Sequence, residues 1–184
     1  QNPNEPNRHG WVVEIDPMDP SSKPIKRTAL GRFKHENVEI VINKDGRLVA
    51  YMGDDERGEH IYKFVSNGRY DAANPSSSSN RRLLDEGTLY VARFDAKVGA
   101  LEGTGEWIEL SVGRNGLTAD KGFKTQADVL VHARLAATVV GATTMDRPEW
   151  VAAHPSGQQV YVTLTNNSKR GNDGQPVGGP NPRA

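Results

Sequence analysis

Residues 38–52 read VEIVINKDGRLVAYM, two apolar runs separated by the turn Asn43-Lys44-Asp45-Gly46. Asp-Gly between apolar runs is a strong short-range signal for a β-hairpin, and the valine- and isoleucine-rich flanks favour strands. The sequence therefore predicts strands at 38–42 and 47–52 that pair with each other.

Further short apolar or alternating runs, bounded by turn residues, predict strands along the rest of the chain. They lie at 11–16, 26–33, 61–65, 89–94, 106–110, 150–153 and 160–164. Only residues 125–140 predict a helix, because Ala127, Val131, Leu135 and Val139 recur there at four-residue spacing.

The fold class that this pattern predicts is all-β, with one helix near 125–140. Two hairpins resemble each other, since Glu36 begins a strand before the turn at Gly46, and Glu149 begins one before the turn at Gly157. Repeated short hairpins are typical of the blades of a β-propeller, and a generic β-sandwich is the alternative.

The domain organisation follows from the composition of the ends and loops. Residues 67–80 contain four consecutive serines and are predicted to be a flexible surface loop, and the Pro- and Gly-rich residues 171–184 a flexible tail. Strands are predicted to begin and stop abruptly beside the polar ends. We therefore expect residues 1–184 to form a single partial domain, cut from the central blades of a longer propeller.

Charge and composition exclude several functional classes. The 184 residues carry 23 basic and 23 acidic side chains, and this balance argues against a nucleic-acid partner. No apolar run approaches the roughly 18 residues that a membrane span needs. The chain has no cysteine, so it contains no disulfide, thiolate zinc site or cysteine nucleophile.

Carboxylates and amides cluster around the two similar hairpins. Around the first lie Glu36, Asp54, Asp55 and Glu56, and around the second lie Glu149, Asn166 and Asn167. Converging carboxylates repel one another unless cations neutralise them, and calcium prefers such oxygen ligands. In a propeller the two glutamates are expected to face each other across the channel. The alternative is that the acidic run of the first hairpin is an ordinary solvated loop.

One arginine is a candidate for phosphate binding. Pro148 disfavours a helical conformation at Arg147, and in an extended segment Arg147 and Glu149 project to the same side. A guanidinium beside a metal-binding carboxylate suits a phosphate ester. The structural alternative is that Arg147 pairs with Asp146 or Glu149 at a corner between helix and strand.

Six segments, in order, resemble successive motifs of the PhoX-type alkaline phosphatase family and together cover almost the whole chain. They are GWVVEIDP at 10–17, KRTALGRFKHE at 26–36, YMGDDER at 51–57, LLDEGTLYVARF at 83–94, MDRPEW at 145–150 and TLTNNS at 163–168. The resemblance implies that the chain is an internal piece of a longer protein.

The resemblance also implies an activity. Family members are bacterial phosphomonoesterases that depend on calcium, and their β-propeller holds a cluster of ferric iron and calcium. The expected cofactors are therefore Ca²⁺ and Fe³⁺, and the expected partner is a small-molecule phosphate monoester. A periplasmic or secreted location and a monomeric full-length protein are implied as well.

Residue roles are implied by position in the matching motifs. Glu36 and Glu149 resemble carboxylate ligands of the metal cluster. Arg147 resembles the arginine that binds the substrate phosphate. Asp54 and Asp55 stand where ligands on the calcium side are expected, with the choice between the two left open.

Asn166 is expected to be a second substrate-binding residue. The family's cysteine ligand belongs to a segment that would precede Gln1, so the resemblance implies that this chain holds half of a metal site. We expect the chain alone to be inactive and prone to aggregate. The rival function is that of a non-catalytic, calcium-stabilised propeller module that binds a partner.

Overall fold

The structure is a computed structural model that describes residues 2–97 and 100–170 of the chain. Within these residues the chain forms nine strands and three short α-helices. The strands are β1 (Val13–Glu14), β2 (Ile25–Lys26), β3 (His35–Ile42), β4 (Arg47–Asp54), β5 (Ile61–Arg69), β6 (Gly87–Asp95), β7 (Thr104–Glu109), β8 (Pro148–Ala153) and β9 (Val160–Leu164). The helices are α1 (Ser78–Arg81), α2 (Gln126–Val131) and α3 (Ala133–Val139).

The largest element is a five-stranded antiparallel sheet in which β3 to β7 are hydrogen-bonded in chain order. The predicted hairpin at 38–52 is confirmed, with Val41 opposite Val49. Its turn needs a glycine, because Gly46 has a φ of +84°. Strands β1 and β2 form a second sheet, and β8 and β9 a third. The fold is therefore mostly β, as predicted.

The two faces of the large sheet have different neighbours. One face carries Met52 and Phe64, which are fully buried in the main core with Val129 of α2 and Ala133 of α3. The other face carries Ile61, which packs in a smaller cluster with Val162 of β9 and other apolar residues. The helices and the β8–β9 hairpin therefore lie on opposite sides of the sheet.

The free edge of β8 is held by side chains of β3. The Asn37 side-chain amide donates to the Val151 carbonyl oxygen at 2.7 Å and accepts from the Val151 amide at 2.8 Å. A carboxylate oxygen of Glu39 accepts from the Ala153 amide at 2.9 Å. These bonds satisfy the backbone of β8 and fix it against β3.

The helical prediction for residues 125–140 is correct in type but wrong in two details. Helix α2 ends at His132, whose backbone is not helical (φ −111°, ψ 41°), and α3 begins directly after it. Leu135, in the predicted apolar stripe, is 61% exposed. The buried face consists of Val129 and small residues such as Ala136. Alanines allow the helices to pack closely on the sheet, and a weakly apolar face is hard to recognise in a sequence.

The strand predicted at 26–33 is wrong beyond its first residue. Residues Thr28–Leu30 form a 3₁₀ turn, because the preceding Arg27 is buried and anchored. Its guanidinium donates to Glu14 at 2.8 Å and to Asp85 at 2.7 Å. This network joins the small β1–β2 sheet to the loop before β6 and ends the strand early.

The segment predicted as a loop at 67–80 is shorter than expected. Strand β5 continues through Arg69, and α1 begins at Ser78. The Ser77 hydroxyl accepts from the Asn80 amide and caps that helix. The tail predicted at 171–184 lies outside the described residues.

Candidate functional site

A β-bulge positions the first predicted glutamate. Strand β3 contains one more residue than β4 between two paired positions, so Glu36 and Asn37 both stand opposite Gly53. Asn37 points to β8, as its bonds to Val151 show. The bulge thus brings Glu36 to the same side of the sheet as β8. Glu36 is exposed, and its side chain has no hydrogen bond or ion pair with the described residues.

A second bulge of the same form positions the other predicted glutamate. Glu149 and Trp150 of β8 both stand opposite Thr163 of β9. The Trp150 amide donates to the Thr163 hydroxyl at 3.0 Å, and Glu149 accepts from the Thr165 hydroxyl at 2.8 Å. Bulges re-aim side chains and are frequent beside active sites. The sequence likeness of the two hairpins therefore has a structural counterpart.

The two bulges meet at Gly53. A Cβ atom added to this glycine would lie 2.5 Å from the carbonyl oxygens of both Pro148 and Glu149. Only a glycine therefore lets β8 approach β4 so closely. Since Glu36 stands opposite Gly53 and the Glu149 backbone rests on it, the structure brings the two bulges to one place.

Arg147 reaches this place from the residue before β8. Its Nε donates to Asp55 Oδ1 at 2.9 Å and its Nη2 to Asp55 Oδ2 at 3.2 Å. The same Nη2 lies 3.5 Å from Glu149 Oε1. The side chain is 33% exposed, and the hydrogen bond to Asp55 raises the pKa of the guanidinium. The arginine is thus oriented by two carboxylates while remaining accessible.

The backbone at Arg147 is unusual. Its φ of +50° places a side-chain-bearing residue in the left-handed region. Such conformations cost free energy and cluster at functional sites. Asp146, directly before it, is 1% exposed and accepts from the Asn167 side-chain amide at 2.8 Å and from Arg170 Nε at 2.5 Å. These bonds fix the residue before Arg147 and so stabilise the strained turn.

The two consecutive aspartates point to different surroundings. Asp55 faces Arg147, whereas Asp54 is fully buried at the end of β4. Arg134 of α3 donates to both carboxylate oxygens of Asp54. Burial raises the pKa of Asp54, and the bonds from Arg134 oppose that shift. Asp54 and Asp55 therefore have different partners and differ in their exposure to solvent.

Asn166 lies apart from this arrangement of bonds. It is exposed and has no hydrogen bond with the described residues, whereas its neighbour Asn167 is buried against Asp146. Sequence reasoning missed the roles of Arg134 and Gly53, and it placed Asn167 only in the polar cluster of the second hairpin. No local signal marks Arg134 or Gly53, because their partners lie far away along the chain.

Glu59 adds a further carboxylate beside Arg134, with Oε2 at 3.8 Å from the arginine Nε. Burial and the charge of Asp54 raise the pKa of Glu59 from 4.5 to about 7. Arg134 thus lies between two carboxylates, and it pairs most closely with the more deeply buried Asp54.

The chemical type of the available donor atoms supports metal binding, but the number of donors gathered in one place does not. Glu36, Asp55 and Glu149 offer carboxylate oxygens, which calcium prefers. Within residues 2–97 and 100–170, however, no three histidine, aspartate or glutamate side chains stand close enough together to hold a metal ion. The described donors therefore fit a calcium site in chemical type, although no three of them are gathered in one place.

Comparison with known proteins identifies the family. A family model described as alkaline phosphatase PhoX matches residues 1–184. The chain belongs to the PhoX alkaline phosphatase family. This confirms the resemblance on which the expected phosphatase activity rests.

A solved PhoX structure matches almost all of the chain. It is that of Pseudomonas fluorescens PhoX in complex with vanadate, a transition state analogue, with 66% sequence identity and a TM-score of 0.92. The match covers 98% of this chain and 31% of that one, so this chain spans about a third of the PhoX length. A search of curated proteins finds no match. Among the described residues, no helix has the length and apolar character needed to cross a bilayer.

Proposed function

We propose that this chain supplies part of the active site of a calcium- and iron-dependent alkaline phosphatase that hydrolyses small-molecule phosphate monoesters. One observation carries the proposal. Arg147 is accessible, oriented by Asp55 and Glu149, and placed where the two β-bulges meet. Membership of the PhoX family and a likeness to a vanadate-bound PhoX support the same activity.

Arg147 is the residue proposed to bind the phosphate. A guanidinium presents several N–H donors in a fixed plane and can pair with two phosphate oxygens at once. Asp55 keeps that plane in one orientation, so little conformational freedom is lost when the substrate binds. The positive charge also stabilises the negative charge on the equatorial oxygens in the transition state.

Glu36, Glu149 and Asp55 are proposed to hold metal ions, with Glu36 the most available because it has no partner among the described residues. Asp54 is less suited, because both of its oxygens already accept from Arg134. When bound, the ions supply positive charge that polarises the phosphoryl oxygens. Asn166, exposed at the end of β9, is proposed to contact the substrate.

The missing ligands are proposed to come from other parts of a longer protein. The 31% coverage of the PhoX chain supports this view. The five-stranded sheet and the β8–β9 hairpin would then belong to blades of a β-propeller. We propose that the full-length protein is a monomer exported to the periplasm or the medium.

The experiment that tests this function is a chimera. In it, the 184 residues of this chain replace the segment of Pseudomonas fluorescens PhoX that they match, a substitution that 66% identity makes feasible. The chimera is expected to hydrolyse a chromogenic phosphate ester, to lose activity with a calcium chelator and to be inhibited by vanadate.

The isolated chain is expected to show no turnover in the same assay, because part of the metal ligands is absent. Appreciable, calcium-dependent turnover by the chain alone would contradict the view that its site is partial. A chimera that binds calcium and folds but hydrolyses no ester would favour the rival function, a calcium-stabilised binding module.

The chimera also tests the environment of Glu59. Because the folded-state pKa of Glu59 lies near 7 and its ordinary value is 4.5, the folded protein binds the extra proton between these pH values. The stability contributed by the protonated form is therefore complete below pH 4.5 and lost as the pH rises through 7. Glu59→Gln is expected to raise the free energy of unfolding at pH 8 by about 1–3 kcal/mol.

The measurement is thermal unfolding of parent and variant, without added metal, at pH 5 and pH 8. The matched control is Glu102→Gln, since Glu102 is exposed and has no ion pair among the described residues. The control is expected to follow the parent at both pH values. An equal effect of Glu59→Gln at the two pH values would contradict the assigned pKa.

A further inference from the structure

The buried carboxylate of Asp54 joins three segments of the chain. From one side, Arg134 of α3 donates Nε to Oδ2 at 2.7 Å and Nη2 to Oδ1. From another, the backbone amide of Lys34 donates to Oδ1 at 3.1 Å. Asp54 itself is the last residue of β4. A single carboxylate therefore connects α3, the residue before β3 and the end of β4.

Two of these segments carry candidate site residues. Lys34 lies two positions before Glu36, and its carbonyl oxygen accepts from the Asp55 amide at 3.0 Å. Lys34 is thus bound to Asp54 through its amide and to Asp55 through its carbonyl oxygen. The position of Glu36 relative to Asp55, and so to Arg147, depends on this double attachment.

Arg134 is what makes the attachment stable. Asp54 has no exposed surface, and a buried carboxylate without a counter-charge is strongly destabilising. Arg134 supplies that charge and, through two parallel bonds, also fixes the plane of the carboxylate. Without it, Asp54 would be expected to turn toward water and release Lys34.

We propose that Asp54 and Arg134 are a pair of positioning residues that hold Glu36 and Asp55 in register around the phosphate site, and that Asp54 is not a metal ligand. The inference rests on the proposed function. It assigns different roles to two adjacent aspartates: Asp55 orients Arg147, and Asp54 fixes the segments on which Asp55 and Glu36 lie. It also gives a role to Arg134, whose guanidinium pairs with Asp54 and lies beside Glu59.

The test compares Arg134→Gln, Asp54→Asn and the double variant in the chimera. Each single variant is expected to raise KM and the inhibition constant of vanadate about 10- to 100-fold, as loss of a supporting partner typically does. Metal content per molecule is expected to change to the same extent in both single variants, because both would loosen the proposed ligands Glu36 and Asp55. Assays are run well below the melting temperature of each variant, so that unfolding does not contribute.

Two further variants distinguish a positioning role of Asp54 and Arg134 from a role in stability alone. The double variant removes both charges, so its melting temperature is expected to lie above that of Arg134→Gln, which leaves the buried Asp54 without its counter-charge. Arg134→Lys keeps the charge and is expected to recover part of the vanadate affinity. The control is Arg93→Gln, which breaks an exposed arginine–carboxylate pair with Glu106 and is expected to change neither constant.

The proposal is overturned if Asp54→Asn lowers the metal content while Arg134→Gln leaves it unchanged, because Asp54 would then be a ligand. It is also overturned if both single variants lower the melting temperature and leave KM and vanadate inhibition at the parent values. An inactive parent chimera would instead contradict the proposed function. In that case the melting temperatures of the three variants still decide whether Asp54 and Arg134 act as a pair.

Discussion

Replacing Arg147 by alanine is expected to lower kcat/KM of the chimera for a phosphate monoester by about a thousandfold, the effect typical of removing a group that stabilises transition-state charge. The guanidinium is held by Asp55 through two bonds of 2.9 and 3.2 Å. Its loss removes the donors that are proposed to bind two phosphate oxygens. Inhibition by vanadate is expected to weaken in parallel.

Arg147→Lys is expected to retain part of the activity, because it keeps the charge and loses the planar pair of donors. The matched control is Arg57→Ala. Arg57 lies two residues after Asp55, and its exposed side chain has no ion pair among the described residues. The control is expected to leave kcat/KM unchanged. If Arg147→Ala weakened catalysis but not vanadate binding, the phosphate-binding role would be wrong.

Gly53→Ala is expected to have the second large effect. The added methyl group would lie 2.5 Å from two carbonyl oxygens of β8, and backbone atoms cannot move aside as a flexible side chain can. We expect the free energy of unfolding to fall by about 2–3 kcal/mol, at the upper end for overpacking. Displacing β8 also moves Arg147 and Glu149, and a shift of about 1 Å is enough to lower activity about a hundredfold.

The measurement is thermal unfolding together with kcat/KM of the chimera. Gly68→Ala is the matched control, because Gly68 is also a strand glycine and its added methyl group would meet only the end of the Leu83 side chain, at 3.0 Å. The control is expected to fold and to keep its activity. A Gly53→Ala chimera with parental stability and turnover would show that β8 does not need to lie so close to β4.

The sequence predicts what depends on local patterns. The hairpin at 38–52 has an Asp-Gly turn between apolar runs, and the structure forms it as expected. The likeness of the segments that begin at Glu36 and Glu149 was also visible. The bulges behind that likeness were not, because an extra residue in one strand is defined only by the register of its partner.

In the helical region, the local apolar pattern does not match the face that is buried. Leu135 and Val139 dominate the apolar pattern of residues 125–140, yet both are exposed. Small residues such as Ala136 and Ala137 form the buried face instead. Close packing of the helices on the sheet selects these small side chains, and a hydrophobicity pattern gives them little weight. The break at His132 has no proline or glycine to mark it.

The candidate site was predictable in its residue types and not in its pairings. Asp54 and Asp55 are equivalent in a sequence. In the structure Asp54 ends β4 and lies in the core, whereas Asp55, directly after the strand, pairs with Arg147. Arg134 lies 80 positions after Asp54, too far for any local pattern to connect them. Which of the acidic residues is available to a ligand therefore depends on distant partners.

The bonds between Asn37 and Val151 also bear on the order of folding, since they join residues 114 positions apart. Strands β3 to β7 pair with sequence neighbours, and such local pairing forms quickly, whereas contacts between distant parts of a chain form slowly. The large sheet can therefore assemble before β8 arrives. We expect Arg147 to reach Asp55 only at that later step, so the proposed phosphate site would form after the large sheet.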